Sequence, residues 1–393
     1  MDPPLPLLLS YFVFFSVYWL SLTQPKRSLS RQLSFLLQVC TAYPIFCSNL
    51  TTGNSVIDYT LGSFVFSFLL NAFAWSFLTD VPVPKRTSIN PNTTESETRT
   101  YELSLEQAAR LVISPRGIGW SHEPTLALPP RPNALVSRSH FILRQLGMAL
   151  MNLLILDLVY ACMWNVPCFH IGGPTIGDAS YGLLGRCRNI LLFAISAIAS
   201  MTTAYHFISA FCLAIQISEP QNCPSFYGDF TKAYTLRGFW GRSWHQLLRP
   251  IIMPYIRFLA ADIFHFPRGT KCYEVTMLYA GFLLTGVMHQ VGDLMMHRNI
   301  SAGGSIVFFP LQAFGITLES IVIGCLPKAT PGWVRTAVGY VWVLSWFTWC
   351  APIYVDPLLQ GGLLDNGPRF SLTSGLLKGE WVPQPATYST KIF

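Results

Sequence analysis

Charge is what this chain of 393 residues has little of. Asp, Glu, Lys and Arg together make up 11% of it, against 51% hydrophobic residues, whereas a soluble domain carries roughly 25% charged residues. The apolar residues are not scattered; they form runs near the about 20 residues that a bilayer demands. An ordinary soluble protein is therefore excluded, and the chain reads as an integral membrane protein. Cys-x-x-Cys pairs are also missing. The ten cysteines make no zinc or thioredoxin-like pattern, and most lie in or beside apolar runs as small hydrophobes. Cys168 and Cys187 share one short loop and could pair if that loop is lumenal. No internal repeat is visible, which counts against a transporter built from paired half-helices. The first apolar run has neither a basic n-region nor an A-x-A cleavage site, so it reads as a retained anchor rather than a signal peptide.

Eight apolar runs stand out: 4–23, 33–50, 59–78, 146–163, 190–217, 275–296, 305–326 and 336–355. Lys and Arg number 26 against 19 acidic residues. In a membrane protein that excess bears first on topology, because basic residues collect on the cytoplasmic side. The loops after the first, third, fifth and seventh runs hold all but six of the 26: Arg186, Arg188, Arg298, Arg369, Lys378 and Lys391. Both termini are thus expected on the lumenal or exterior side, with two long basic loops in the cytosol. Asn49 and Asn299 begin sequons on the lumenal side in this scheme, and Asn92 begins one on the cytosolic side.

Within the first long loop, residues 80–99 are polar and proline-bearing, a flexible composition. "SLEQAARLVI" at 104–113 opens with a capping box, Ser104 and Gln107, and has helical apolar spacing, predicting a helix along the membrane surface. "PRGIGW" at 115–120 ends it. In the second long loop, "IIMPYIRFLAADIF" at 251–264 predicts another amphipathic or re-entrant segment.

Ionisable side chains inside a bilayer are costly and are either functional or paired. The runs contain five: Asp157, His206, His289, Asp293 and Glu319. His289 and Asp293 are four apart and share one helix face. A carboxylate one turn away can fix an imidazole's tautomer, and such a pair can act as a general base on an alcohol. Gly286, one turn before the histidine, leaves room for a substrate or a neighbouring helix. For His206, Asp157 and Glu319 the expectation is a polar structural partner. In the second long loop, "RGFWGRSWHQLLRP" at 237–250 carries Arg237, Arg242 and Arg249. Guanidinium suits phosphate, so a phosphate-bearing cofactor and anionic lipid headgroups are both candidate partners.

Three motifs carry a family resemblance: "RGIGW" at 116–120, "FWGRSWHQ" at 239–246 and "FLLTGVMH" at 282–289. In this order and spacing they resemble the wax-synthase-like branch of the membrane-bound O-acyltransferases, in particular fungal members that acetylate terpenoid and meroterpenoid alcohols. The resemblance implies that His289 is the catalytic histidine. It gives His245 the second conserved polar position, where many distant relatives have asparagine. Thr285 stands where serine is usual, and keeps the hydroxyl. The implied reaction moves an acyl group, acetyl by the fungal likeness, from acyl-CoA to a lipophilic alcohol.

The resulting expectation is an all-α polytopic membrane protein with about eight transmembrane helices. Residues 1–78 would form three N-terminal membrane helices, 79–145 a cytosolic loop, 146–355 the catalytic membrane core and 356–393 a C-terminal tail. His289, His245 and Asp293 are the expected catalytic residues. Arg237, Arg242, Arg249, Trp240 and Trp244 are the expected donor-binding residues. Acyl-CoA would be a co-substrate, with no metal and no permanently bound cofactor. The partners would be membrane lipids and the lipophilic alcohol, with no nucleic acid, and the location the endoplasmic reticulum. The alternatives are a long-chain wax ester synthase, or a non-enzymatic transporter or membrane scaffold.

Overall fold

The structure, a computed structural model, describes residues 5–25, 28–48, 50–84, 102–133, 136–325, 331–366 and 370–382. Asn49, Asn92 and most of the proline-bearing stretch 80–99 lie outside the described residues. The described chain is helical, and its only β pairing is one isolated bridge between Pro84 and Trp120. In order the helices are α1 (Leu5–Ser21), α2 (Leu29–Cys47), α3 (Ser55–Phe73), α4 (Leu105–Val112), α5 (Arg138–Met163), α6 (Gly182–Ala214) and the single turn α7 (Leu236–Gly238). They continue with α8 (Arg249–Arg257), α9 (Lys271–His297), α10 (Ser305–Cys325), α11 (Gly332–Gln360) and α12 (Leu372–Lys378).

Among the described residues, each of the eight apolar runs is largely helical. Among the described residues, six helical segments are long and apolar enough to cross a membrane: Ser55–Leu78, Arg138–Met163, Ala179–Ala214, Lys271–His297, Ser305–Cys325 and Gly332–Gln360. The other two runs fall short of the expected eight for different reasons. α1 is apolar but has 17 residues, about 26 Å of helix against about 30 Å of hydrocarbon. α2 carries Arg31, Gln32, Gln38 and several hydroxyls among its 19 residues.

The chain divides into two compact units, and the first holds the described residues within Met1–Gly53, Ile57–Ala127 and Gln246–Met295. Its core has a cluster from α1, α2, α3 and α9, including Leu7, Phe14, Ile45, Val65 and Met295. A second cluster sets Tyr18 and Trp75 against Leu111 of α4 and Trp120. The α4 capping box is present: Gln107 N–H donates to Ser104 Oγ at 3.1 Å, and Ser104 N–H to Gln107 Oε1 at 3.0 Å. "RGIGW" is a turn, not a helix. Gly117 and Gly119 take φ of +67° and +84°, a left-handed geometry that glycine adopts at little cost. α8 buries Ile251, Ile252 and Ile256 against Met288 of α9, as an amphipathic segment should.

Arg31, counted above as a topological charge, is 4% exposed. Its guanidinium donates to the carbonyls of Ser21 at 3.2 Å, Leu22 at 3.4 Å and Gln24. It thus satisfies carbonyls at the end of α1 that have no partner within the helix.

The second unit holds the described residues within Asn54–Val56, Leu128–His245 and Met296–Phe393. α5 and α6 pack extensively against each other. Arg138 closes the end of α6, donating to Leu213 O at 2.9 Å, Ser218 O at 3.0 Å and Glu219 Oε1 at 2.7 Å. The loop between α5 and α6 is fastened to the end of α11. Ile176 N–H donates to Asp356 at 2.9 Å, Gly172 N–H to Gln360 at 2.9 Å, and Ile171 N–H to Asp365 at 2.9 Å. Cys168 and Cys187 are free thiols. Asn189 donates to Cys168 Sγ at 3.4 Å, and Cys187 Sγ contacts the Thr348 hydroxyl at 3.5 Å.

Candidate active site

His289 lies within α9, eight residues before its end, and is half-buried. The side chain meeting its Nδ1 is one the sequence reading did not select: Tyr59 of α3, whose Oη is 2.8 Å away. The two rings lie 25° from parallel with centroids 6.3 Å apart. Asp293, the expected orienting group, is one turn further along α9 and completely buried. Thr285 donates its hydroxyl to Gly281 O at 2.8 Å, so that hydroxyl is engaged within the helix.

The approach of α3 to this part of α9 depends on two glycines. A Cβ on Gly292 would meet the Tyr59 ring at 2.8 and 2.9 Å as well as Ser63 Oγ, and one on Gly62 would meet Met295 Cβ at 2.9 Å. Small residues where membrane helices touch let side chains of the neighbour come close. Arg249, at the start of α8, is half-buried in this same unit. Burial pulls its guanidinium below the ordinary arginine value.

"RGFWGRSWH" belongs to the second unit up to His245. Its start is held by Glu319 of α10, which is 5% exposed. The carboxyl oxygens accept from Leu236 N–H at 2.5 Å, Arg237 N–H at 3.2 Å and Trp342 Nε1 at 3.0 Å. Residues Phe239–Ser243 then form a π-helical turn, a rare geometry often found at functional sites. Gly228 lies against this turn, with its N–H donating to Ser243 O at 2.9 Å. A Cβ at Gly228 would collide with the Arg242 carbonyl.

The aromatic residues of the turn are packed inward. Trp240 Nε1 donates to Gln312 Oε1 at 3.4 Å, and Trp346 Nε1 donates to the same oxygen at 3.1 Å. Trp244 stacks on Phe239 with centroids 5.3 Å apart. His245 sits among Trp244, Phe226 and Tyr227, at centroid distances of 5.3, 5.8 and 6.2 Å. Burial pushes the Tyr227 phenol above its usual value. Arg237 and Arg242 are exposed.

Of the expected site residues, the first unit therefore contains His289, Asp293 and Arg249, and the second contains His245, Trp240, Trp244, Arg237 and Arg242. The other intramembrane ionisable groups have structural partners. His206 Nδ1 pairs with Gln145 Oε1. Asp157 accepts from Thr373 N–H at 2.8 Å and from its hydroxyl at 2.7 Å.

Residues 223–311 match the model of the membrane bound O-acyl transferase family. Over 292 residues the chain is 35% identical to acetyltransferase eriL of Hericium erinaceus, covering 72% of this chain and 76% of that protein. It is 32% identical over 351 residues to acetyltransferase ple2 of Rhodocybe pseudopiperita, covering 88% and 90%. It is 31% identical over 166 residues to acetyltransferase aurG of Calcarisporium arbuscula, covering 41% and 40%. The apolar helices, the family-model match and the relatives converge on one conclusion: the chain belongs to the membrane-bound O-acyltransferase family and is a multi-pass membrane acyltransferase.

Proposed function

We propose that this enzyme transfers an acetyl group from acetyl-CoA to a hydroxyl of a lipophilic acceptor, a terpenoid or meroterpenoid alcohol, at the endoplasmic reticulum membrane. The observation that carries the reading is an imidazole within an apolar helix with its Nδ1 tied to a tyrosine hydroxyl. That its relatives are acetyltransferases supports the acetyl donor.

His289 takes the proton of the alcohol as its oxygen attacks the thioester carbonyl. The carbon–oxygen bond forms, the carbon–sulfur bond breaks, and the thiolate leaves with the proton from the imidazolium. His245 is assigned stabilisation of the oxyanion or placement of the thioester. Asp293 supports the charged imidazole through the helix turn they share. Arg237, Arg242 and Arg249 are assigned to the phosphates of CoA, with Trp240 and Trp244 shaping that donor region. Bringing a water-soluble donor to a membrane-dissolved acceptor away from bulk water is a large part of such catalysis.

The test incubates membranes containing the chain with labelled acetyl-CoA and a panel of polycyclic terpenoid alcohols. A labelled acetate ester is expected, and His289→Ala abolishes it without loss of protein. A fully active H289A ends the assignment of the base. Faster turnover with palmitoyl-CoA than with acetyl-CoA replaces the acetyltransferase reading by that of a wax ester synthase. Arg242→Ala raises the KM for acetyl-CoA; an unchanged KM leaves that arginine to lipid headgroups.

A further inference from the structure

We infer that Tyr59 is the positioning residue of His289, fixing the ring's orientation and assigning proton transfer to Nε2. The inference rests on the reading of His289 as the base, and it names a residue on a separate helix that no motif contains.

Three observations lead to it. The first is the contact itself, Tyr59 Oη to His289 Nδ1 at 2.8 Å, a hydrogen-bonding distance across 230 residues of sequence. A tyrosine hydroxyl packed between helices usually finds a polar partner, and the imidazole supplies one.

The second is that the tyrosine ring is held from the side. Gly292 follows His289 by three positions and so lies on its face of α9. The Tyr59 ring occupies the space that a side chain at 292 would need, with Ser63, one turn along α3, beside it. Gly62 lets Met295 approach α3 at the next level. The seam leaves the ring little room to rotate.

The third is that α3 is fixed at the residue before the tyrosine. Asp58 is 2% exposed and accepts from Thr52 N–H at 2.8 Å and from the Thr51 hydroxyl. This fixes the height at which Tyr59 meets α9.

The chemical consequence concerns the tautomer. A neutral imidazole has one N–H and one lone pair. If Nε2 is to take the alcohol's proton, Nδ1 must carry the hydrogen, and Tyr59 Oη is where that N–H donates. The same bond persists when His289 becomes an imidazolium, and it is still in place when Nε2 returns the proton to the departing thiolate. Tyr59 touches neither substrate nor thioester, and acts only through the ring it holds.

The test is steady-state kinetics of the full chain in membranes, using labelled acetyl-CoA and whichever alcohol of the terpenoid panel the unaltered enzyme turns over fastest. Tyr59→Phe keeps the ring and removes the hydroxyl. It is expected to lower kcat roughly 10- to 100-fold, with both KM values unchanged, whatever the lost hydrogen bond takes from the thermal midpoint in detergent. Gly292→Ala keeps the hydroxyl but crowds the seam and displaces the ring; it is expected to lower kcat with both KM values unchanged, at some cost in thermal midpoint, and it decides the matter should Y59F fail to accumulate. Ser63→Ala, which leaves both rings in place, is expected to keep kcat. A Y59F enzyme within twofold of normal kcat overturns the proposal, as does a kcat loss that comes with raised KM values. His289→Ala separates the two levels. If H289A is inactive and Y59F is normal, only the positioning role fails; if H289A is active, the assignment of the base fails first.

Discussion

Glu319, deep in the apolar helix α10, receives the backbone N–H of Leu236 at 2.5 Å. The carboxyl group also takes Arg237 N–H and the Trp342 indole. An acid within a membrane helix invites a catalytic reading, yet here it anchors the first turn of the loop that carries Arg237, Arg242 and His245. Each donor left buried without a partner costs about 1–3 kcal/mol. Glu319→Ala is therefore expected to lower the thermal midpoint in detergent and to remove most acyltransferase activity. Glu319→Gln, which keeps one acceptor oxygen, should fall between. A normal midpoint for E319A would show that the loop holds without this anchor.

His206 gives the contrasting case. It is 9% exposed and pairs with Gln145 between α5 and α6. His206→Leu is expected to keep kcat within about twofold while lowering stability by about 1–3 kcal/mol, the cost of a stranded amide. Replacing both partners by leucine should recover much of that loss, because neither polar group is then left alone. Thermal midpoints of the two single variants and the double variant check this, and a large kcat loss in H206L would give the residue a chemical role.

Cys168 gives a pH-dependent expectation. Burial pushes its thiol up to about 11, and alkylation proceeds through the thiolate. Below that pH the folded protein should protect Cys168 from iodoacetamide, while the exposed Cys272 reacts. In denaturant without reductant, all ten cysteines should become alkylated. Peptide mass spectrometry reads both results, and a linked Cys168–Cys187 peptide would contradict the free thiols.

The helices were legible because their signal is local. Each apolar run proved largely helical among the described residues, and Ser104 with Gln107 gave the start of α4. The span count was less legible: six of the eight runs meet the length and apolarity of a crossing among the described residues, and the count of eight is not established. At the site, the helical spacing of His289 and Asp293 was readable, while Tyr59 was not. A tyrosine in an apolar run looks like an interfacial residue, and the contact spans 230 positions. A faint signal existed: glycine follows both Tyr59 and His289 by three residues, at Gly62 and Gly292. Asp157 and Glu319 were expected to have polar partners and do, but among those partners are main-chain N–H groups, which leave no mark in a sequence.

The grip of Asp157 on Thr373 bears on damaged copies of the protein. Loss of the residues from 371 onward would leave that acid without these two donors. Such a shortened form should be cleared by cellular quality control rather than persist at reduced output. α12 thus satisfies an acid of α5 as well as packing against that helix.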